Sequence, residues 1–401
     1  MTEGHVKPPN ETARDPGPLS AQQTRGQSGG DAAMAALAGV AQRMVLSGEN
    51  LSAGSIQWGN RLGSAPPVGL TDRDLRLMAL IHDVNFLSSS QLVVLGWGNS
   101  GERAGQKRLK RLHDGGYLDR FRPINERGSA EWNYRLSSLG WSALLEQGRA
   151  PADRAYTPTA ITSISYTEHD LQLASLVLQI AQEAAGGQAG ALLDRMPFTW
   201  NGSRSGRIDT DSDQEFECSP AAELPVGTRL HPEGSRQGYL EPDATLIGRS
   251  GEDTWAVLIE YDRTERPHKQ IDRLRRYDHW LLSGWRWDRF SEHSIPPSVI
   301  FLTARERPLR RLIETADRTF EGWHGREHAG PRQGTHPARQ RVVFTSRERV
   351  LAGDWTMERT PSLPPELRED FRVCSPRSID YDLPALFAGA DHCAGTTEHA
   401  A

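Results

Sequence analysis

Cysteine is scarce in this chain. It occurs at Cys218, Cys374 and Cys393, with no CxxC pair. That pattern excludes a disulfide scaffold and a cysteine-built zinc module, and it suits a reducing compartment. Lysine is confined to Lys7, Lys107, Lys110 and Lys269, so positive charge is carried almost throughout by arginine. Long apolar runs are also missing. None approaches the ~18 to 20 residues that span a bilayer, and the amino terminus is polar, without the apolar stretch of a signal peptide. A cytoplasmic protein with no membrane partner is expected. The Gly-rich stretch Gly98 to Lys107 lacks the GxxxxGK[ST] pattern of a phosphate loop. GxSxG, HExxH and GxGxxG do not appear in a strand context.

What is present suits two soluble domains. The chain has 401 residues, 37% hydrophobic and 25% charged, with a formal net charge of -5. The net charge therefore does not mark the whole chain as a polyanion binder, and charge has to be read locally. Residues 1–66 are rich in Gly, Pro, Ser and Gln and read as a disordered arm, with one helix-like piece at 31–47. From 351 to 401 the chain turns Pro-rich and acidic and reads as a flexible tail.

Between them lie two patterned regions, 68–150 and 160–350. In the first, Thr71 and Asp74 mark a helix start, and Leu77, Leu80, Ile81 and Val84 give a helical stripe. A short second helix follows, capped by one of Ser88 to Ser90. A third, with Ser100 as its cap, stops at Gly115-Gly116. Two short strands joined by a loop with Asn125 and Gly128 come next. Three helices and a hairpin are the order of a winged helix-turn-helix. On the third helix Gly105, Leu109 and Leu112 fall on one side. Arg103, Lys107, Lys110 and Arg111 fall on the other, within an arc of roughly 100°. Arg108 belongs to the same basic run, and the hairpin adds Arg120, Arg122, Arg127 and Arg135. A basic helix face beside a basic wing is the footprint expected for double-stranded DNA. A solvated arginine-rich helix is the plainer alternative.

The second region reads helix, two or three strands, helix, strand. Tyr239 to Thr264 holds two strand-like runs with carboxylates among apolar residues. Alternation puts Glu260 and Asp262 on the face of Ala256 and Leu258, and sends Tyr261 and Arg263 the other way. Glu241 and Asp243 share a face of the preceding run. Paired as a hairpin, the runs would gather up to four carboxylates, a cluster that calls for a cation, shifted protonation or solvent. Three uses stay open: a metal-dependent nuclease site, a nuclease-like fold kept for binding, and structural pairing with Arg263, Arg273 or Arg276. His169 reads as a ligand, a base or a structural histidine; His324 and His328 lie in a Gly- and Pro-rich stretch that does not suit a zinc pair.

Pro242-Asp243 followed by Glu260 resembles the PD-(D/E)xK nuclease superfamily, whose core runs αβββαβ. More narrowly, residues 70–350 resemble the plasmid replication-relaxation family. The carriers are LTDRDLRLMALIHDVNFLSSSQL and RLKRLHDGGYLDR in the first region, then YTEHDL at 166–171, Glu241-Pro242-Asp243, Ile259 to Thr264, and Arg273 to Tyr277. The resemblance implies a winged helix followed by a restriction-endonuclease-like α/β domain. It implies a DNA-binding protein of a plasmid or mobile element acting in replication, relaxation or transfer, with replication or conjugation proteins as partners. It also implies an alternative, a nickase in which Asp243 and Glu260 hold Mg²⁺ or Mn²⁺, joined by Glu168 or Asp170. Active superfamily members carry Lys where this chain has Asp262, which has the opposite sign; Lys269, Arg273 or Arg276 would have to replace it.

Overall fold

Backbone amides at a helix start lack intrahelical partners, and Thr71 answers that need for the first helix. Its hydroxyl accepts from the Asp74 amide at 3.4 Å, and the Asp74 carboxylate accepts from the Thr71 amide at 2.7 Å. The helix so capped is α1, Asp72–Asp83. The computed structural model describes residues 56–360, with its longest interruptions at 210–238 and 323–336, together with 377–380. The helix expected at 31–47, and His324 and His328, lie outside the described residues.

After α1 come β2 (Leu87–Ser88), α2 (Ser89–Trp97) and α3 (Glu102–Asp114). Ser88 caps α2 through a capping box with Gln91. Ser100 does not cap α3. A 3-10 turn, Asn99–Gly101, leads into that helix, and Gly101 takes the cap position without a side-chain bond. β3 (Leu118–Asn125), β4 (Gly128–Ser129), β5 (Asn133–Leu136) and α4 (Ser138–Glu146) complete the unit. The expectation of a disordered arm over 1–66 is corrected at its C-terminal end. β1, Ile56–Trp58, pairs antiparallel with β3, and the order is β1-β3-β5-β2 with β4 beside β3. The Trp58 ring meets Phe121 at 5.5 Å, which anchors this short strand.

The second unit opens with α5, Ile164–Ala184. β6 (Phe198–Gly202), β7 (Ile208–Asp209), β8 (Tyr239–Leu240), β9 (Ala244–Ser250) and β10 (Asp253–Asp262) follow. Then come α6 (Pro267–Leu282), β11 (Ser298–Thr303), α7 (Glu306–Gly322), α8 (Pro337–Arg341) and β12 (Val342–Ser346). α9 (Arg347–Leu351), β13 (Thr356–Arg359) and β14 (Arg377–Asp380) end the described chain. The large sheet runs β14-β13-β12-β11-β10-β9-β6, and β7 and β8 form a separate ribbon. β10, β11 and β12 are parallel to one another; the remaining pairs are antiparallel. β13 and β14 correct the expectation that the chain trails off from 351, because they extend the sheet by two strands.

Alternation along β10 divides the core. Val257, Ile259 and Tyr261 face α5, packing with Leu173, Leu176 and Val177. Ala256 and Leu258 face α6 and α7, packing with Leu274, Tyr277 and Leu312. The first of these clusters continues without a break into the N-terminal unit through Leu77, Ile81, Leu92 and Leu95. At about 1.5–3 kcal/mol for each fully buried large aliphatic side chain, the shared cluster is a main stabiliser of both units. The protein is thus a mixed α+β molecule with two main sheets on one connected core.

Candidate functional site

The hairpin expected from the sequence forms. The β9–β10 register pairs Ile259 with Ala244, and one further step sets Glu260 opposite Asp243. Asp243 lies where the chain enters β9, and its Oδ2 accepts from the Tyr261 amide at 2.7 Å. Glu260 is buried on the α6 face. Its Oε1 accepts from the Tyr277 hydroxyl at 2.6 Å, and its Oε2 pairs with the Arg273 guanidinium. From α5, His169 reaches the same place. Its Nε2 stands 3.0 Å from the Tyr261 carbonyl and 3.6 Å from Asp243 Oδ2, and its Nδ1 is 3.0 Å from Asp170 Oδ1.

Both ring nitrogens of His169 face acceptors, which suits the doubly protonated imidazolium. Burial alone would lower its pKa, but hydrogen bonds to Asp170 and Asp243 outweigh that and push it up to about 10. Burial would likewise raise Asp243, yet the His169 charge beside it holds the carboxyl below the usual range. For Glu260 burial wins, and its pKa is pushed up to about 8 despite Arg273. The result is an ionised Asp243 and a proton-retaining Glu260, held beside the cations His169 and Arg273.

A divalent cation does not fit this arrangement. Both oxygens of Glu260 already accept from protein donors, and an oxygen of Asp243 accepts from the backbone and faces an imidazolium. Among the described residues no three potential ligands gather closely enough to hold a metal.

The other expected site residues scatter. Glu241 is exposed, because Pro242 has no N–H for the ladder and the alternation breaks between β8 and β9. Asp262 is buried at the end of β10, opposite Thr303. Glu168 pairs with Arg263 at 3.1 Å on the α5 face. Asp170 bonds to His169 at 3.0 Å and accepts from Asn85 at 3.3 Å. Lys269 lies in the first turn of α6, and its side chain is outside the described residues. Arg276 bonds to the Asp272 carbonyl of its own helix at 3.3 Å. Sequence reasoning missed Tyr277 as a partner of Glu260. The signal was there: Arg273 and Tyr277 are four apart and share a helix face.

The basic helix has its own division of labour. Gly105, Leu109 and Leu112 of α3 are buried, and Arg103, Lys107, Lys110 and Arg111 are exposed on the other side. Arg103, Lys107 and Arg111 have no side-chain partner among the described residues, while Lys110 pairs with Asp114 at 2.5 Å. Arg108 is turned inward. Its Nε donates to buried Asp74 at 3.0 Å, and its Nη2 donates to the Gly69 carbonyl at 2.6 Å. Burial would raise Asp74, but Arg108 and Thr71 hold it below the carboxylate range. Arg120 and Arg122 lie over the Trp132 ring at 4.4 and 4.5 Å, and Arg135 lies over Trp58 at 4.4 Å. Arg127 is outside the described residues.

Fold and site together define a two-unit α+β protein with a basic helix at one end and internally neutralised carboxylates in its sheet. The sequence model of the replication-relaxation family matches residues 78–291, more than half of the chain, and the protein belongs to that family. No curated protein matches. Two solved structures are similar at a low level: restriction endonuclease FokI bound to DNA, at 13% identity, and restriction endonuclease FokI, at 14%. Each has a TM-score of 0.19, and the match covers 72% of this chain and 46% of theirs. No helix among the described residues is long and apolar enough to cross a membrane.

Proposed function

We propose that this is a DNA-binding protein acting in the replication, relaxation or transfer of a plasmid or other mobile element. In this reading residues 68–150 are a winged helix-turn-helix that docks on duplex DNA. Residues 160–350 are a PD-(D/E)xK-like domain that has kept its fold and given up cleavage. One observation carries the proposal: the exposed, unpartnered cations Arg103, Lys107 and Arg111 on the outer face of α3, opposite its buried stripe. Such a face neutralises backbone phosphates and fits the third helix of a winged-helix unit entering the major groove. The element order α5-β6-β9-β10-α6-β11 supports the nuclease-like reading of the second unit. Arg273 on Glu260 and His169 beside Asp243 support its silence. Replication or conjugation proteins are the partners such a binder would recruit.

Two measurements test this. Retardation of duplex DNA across a salt series should show Lys107→Glu/Arg111→Glu losing about ten-fold in affinity or more, with the log–log salt slope reduced by about 2. An unchanged slope would sink the docking reading. Supercoiled plasmid with Mg²⁺ or Mn²⁺ should stay unnicked. Nicking that EDTA and Glu260→Ala both abolish would establish the nuclease instead.

A further inference from the structure

α7 carries a second basic face that the docking reading does not use. Arg307, Arg310, Arg311 and Arg318 are exposed. At 100° per residue they fall within an arc of roughly 100°, opposite the stripe that seats the helix. That stripe, including Leu309, Leu312 and Ile313, is buried against the sheet. By the same spacing Glu314 and Glu321 also fall within the arc. Arg318 donates to the Glu314 carbonyl of its own helix at 3.2 Å; Arg307, Arg310 and Arg311 have no side-chain partner among the described residues. The row extends about 16 Å along the axis, the rise of roughly five base pairs.

The placement of this face gives it meaning. The N-terminal unit packs on α5 and the edge strand β6, through Gln91 to the Leu171 carbonyl and through the core shared with Phe198 and Trp200. α7 lies on the other face of the sheet, against Val299, Phe301 and Phe344. The unit that carries α3 thus packs on the α5 face of the seven-stranded sheet and α7 on the other face, so the two basic faces are separate. Arginine, with a planar fork that matches phosphate oxygens two at a time, suits a nucleic-acid backbone.

We propose that the α7 face binds the backbone of a second DNA segment, so that one molecule bridges two duplexes or two parts of one bent duplex. The proposal rests on the DNA-binding reading for its ligand, while its residues are separate. The test uses the full chain. A biotinylated duplex on beads is loaded with protein, and capture of a second, fluorescent duplex is measured. Arg310→Glu/Arg311→Glu should keep single-duplex retardation and lose capture by about ten-fold or more. Arg310→Gln/Arg311→Gln, a milder change, should lose part of it, and unchanged thermal melts would show that both variants fold. Capture undiminished by charge reversal on α7, or no capture by the native protein, overturns the bridging proposal and leaves the face to solvent or an acidic protein. The two readings fail separately: a Lys107→Glu/Arg111→Glu variant with intact retardation sinks only the docking reading.

Discussion

Glu260 depends on its neighbours for its charge. Its side chain is 2% exposed, and Arg273 and Tyr277 occupy its oxygens. Its folded pKa, about 8, lies above the ordinary glutamate value. Ionising it in the fold therefore costs stability, a cost absent below about pH 4.5, growing as pH rises to about 8 and level above that. Arg273 offsets that cost. Removing one member of a fully buried pair costs about 3–5 kcal/mol, and the 37% exposure of the Arg273 side chain lowers the expectation for Arg273→Ala to about 2 kcal/mol at pH 8. Near pH 5 the loss should be smaller, because Glu260 is protonated there. Adding Glu260→Gln should remove the pH difference. Urea melts of the native protein and the two variants at the two pH values measure this, and an equal loss at both would assign Arg273 a packing role alone.

At the scale of elements, α3 separates packing from an exposed basic face within a single turn. Arg108 holds buried Asp74 and so fastens α3 to the start of α1, whereas Lys107 and Arg111 point to solvent. Arg108→Ala should lower stability by about 2–3 kcal/mol and leave the salt slope of DNA binding unchanged. Thermal melts beside a salt titration would check it, and a slope that falls by about 1 would return Arg108 to the recognition face. That division was not legible in the sequence, since Asp74 is 34 positions away. Locally specified features were legible. The Thr71 cap, the stripe of α3 and the alternation of β10 each depend on residues within a turn or two, and hairpin pairing of β9 with β10 brought Asp243 to Glu260. β1, β13 and β14 were not. Each has three or four residues, too few for a period, and β1 finds its partner β3 some sixty positions along the chain. The cations on the carboxylates depend on how α5 and α6 seat on the sheet, a tertiary outcome that local pattern does not encode.

At the scale of the molecule, the two units meet through a continuous buried core. Arg76 donates to Asp194 at 2.7 Å and to the Leu193 carbonyl, and Gln91 donates to the Leu171 carbonyl at 2.9 Å and to Ser175 at 3.0 Å. Asn85, at positive φ after α1, donates to Asp170 at 3.3 Å, so a polar line runs Asn85, Asp170, His169, Asp243 from one unit into the other. DNA held on α3 would then fix the direction in which α7 points, a condition for bridging at a set angle. Gly202 marks how closely the units approach. A Cβ there would collide with the Asp83 carbonyl and sit 2.7 Å from Val84 Cα, both backbone atoms of the other unit. Gly202→Ala should therefore force the interface apart at a cost of about 2 kcal/mol. Calorimetry of the full chain should show one transition, lowered by roughly 4–8 °C in the variant and still single. Two separate transitions, with only one shifted by the substitution, would mean that the units fold independently and that α3 does not orient α7.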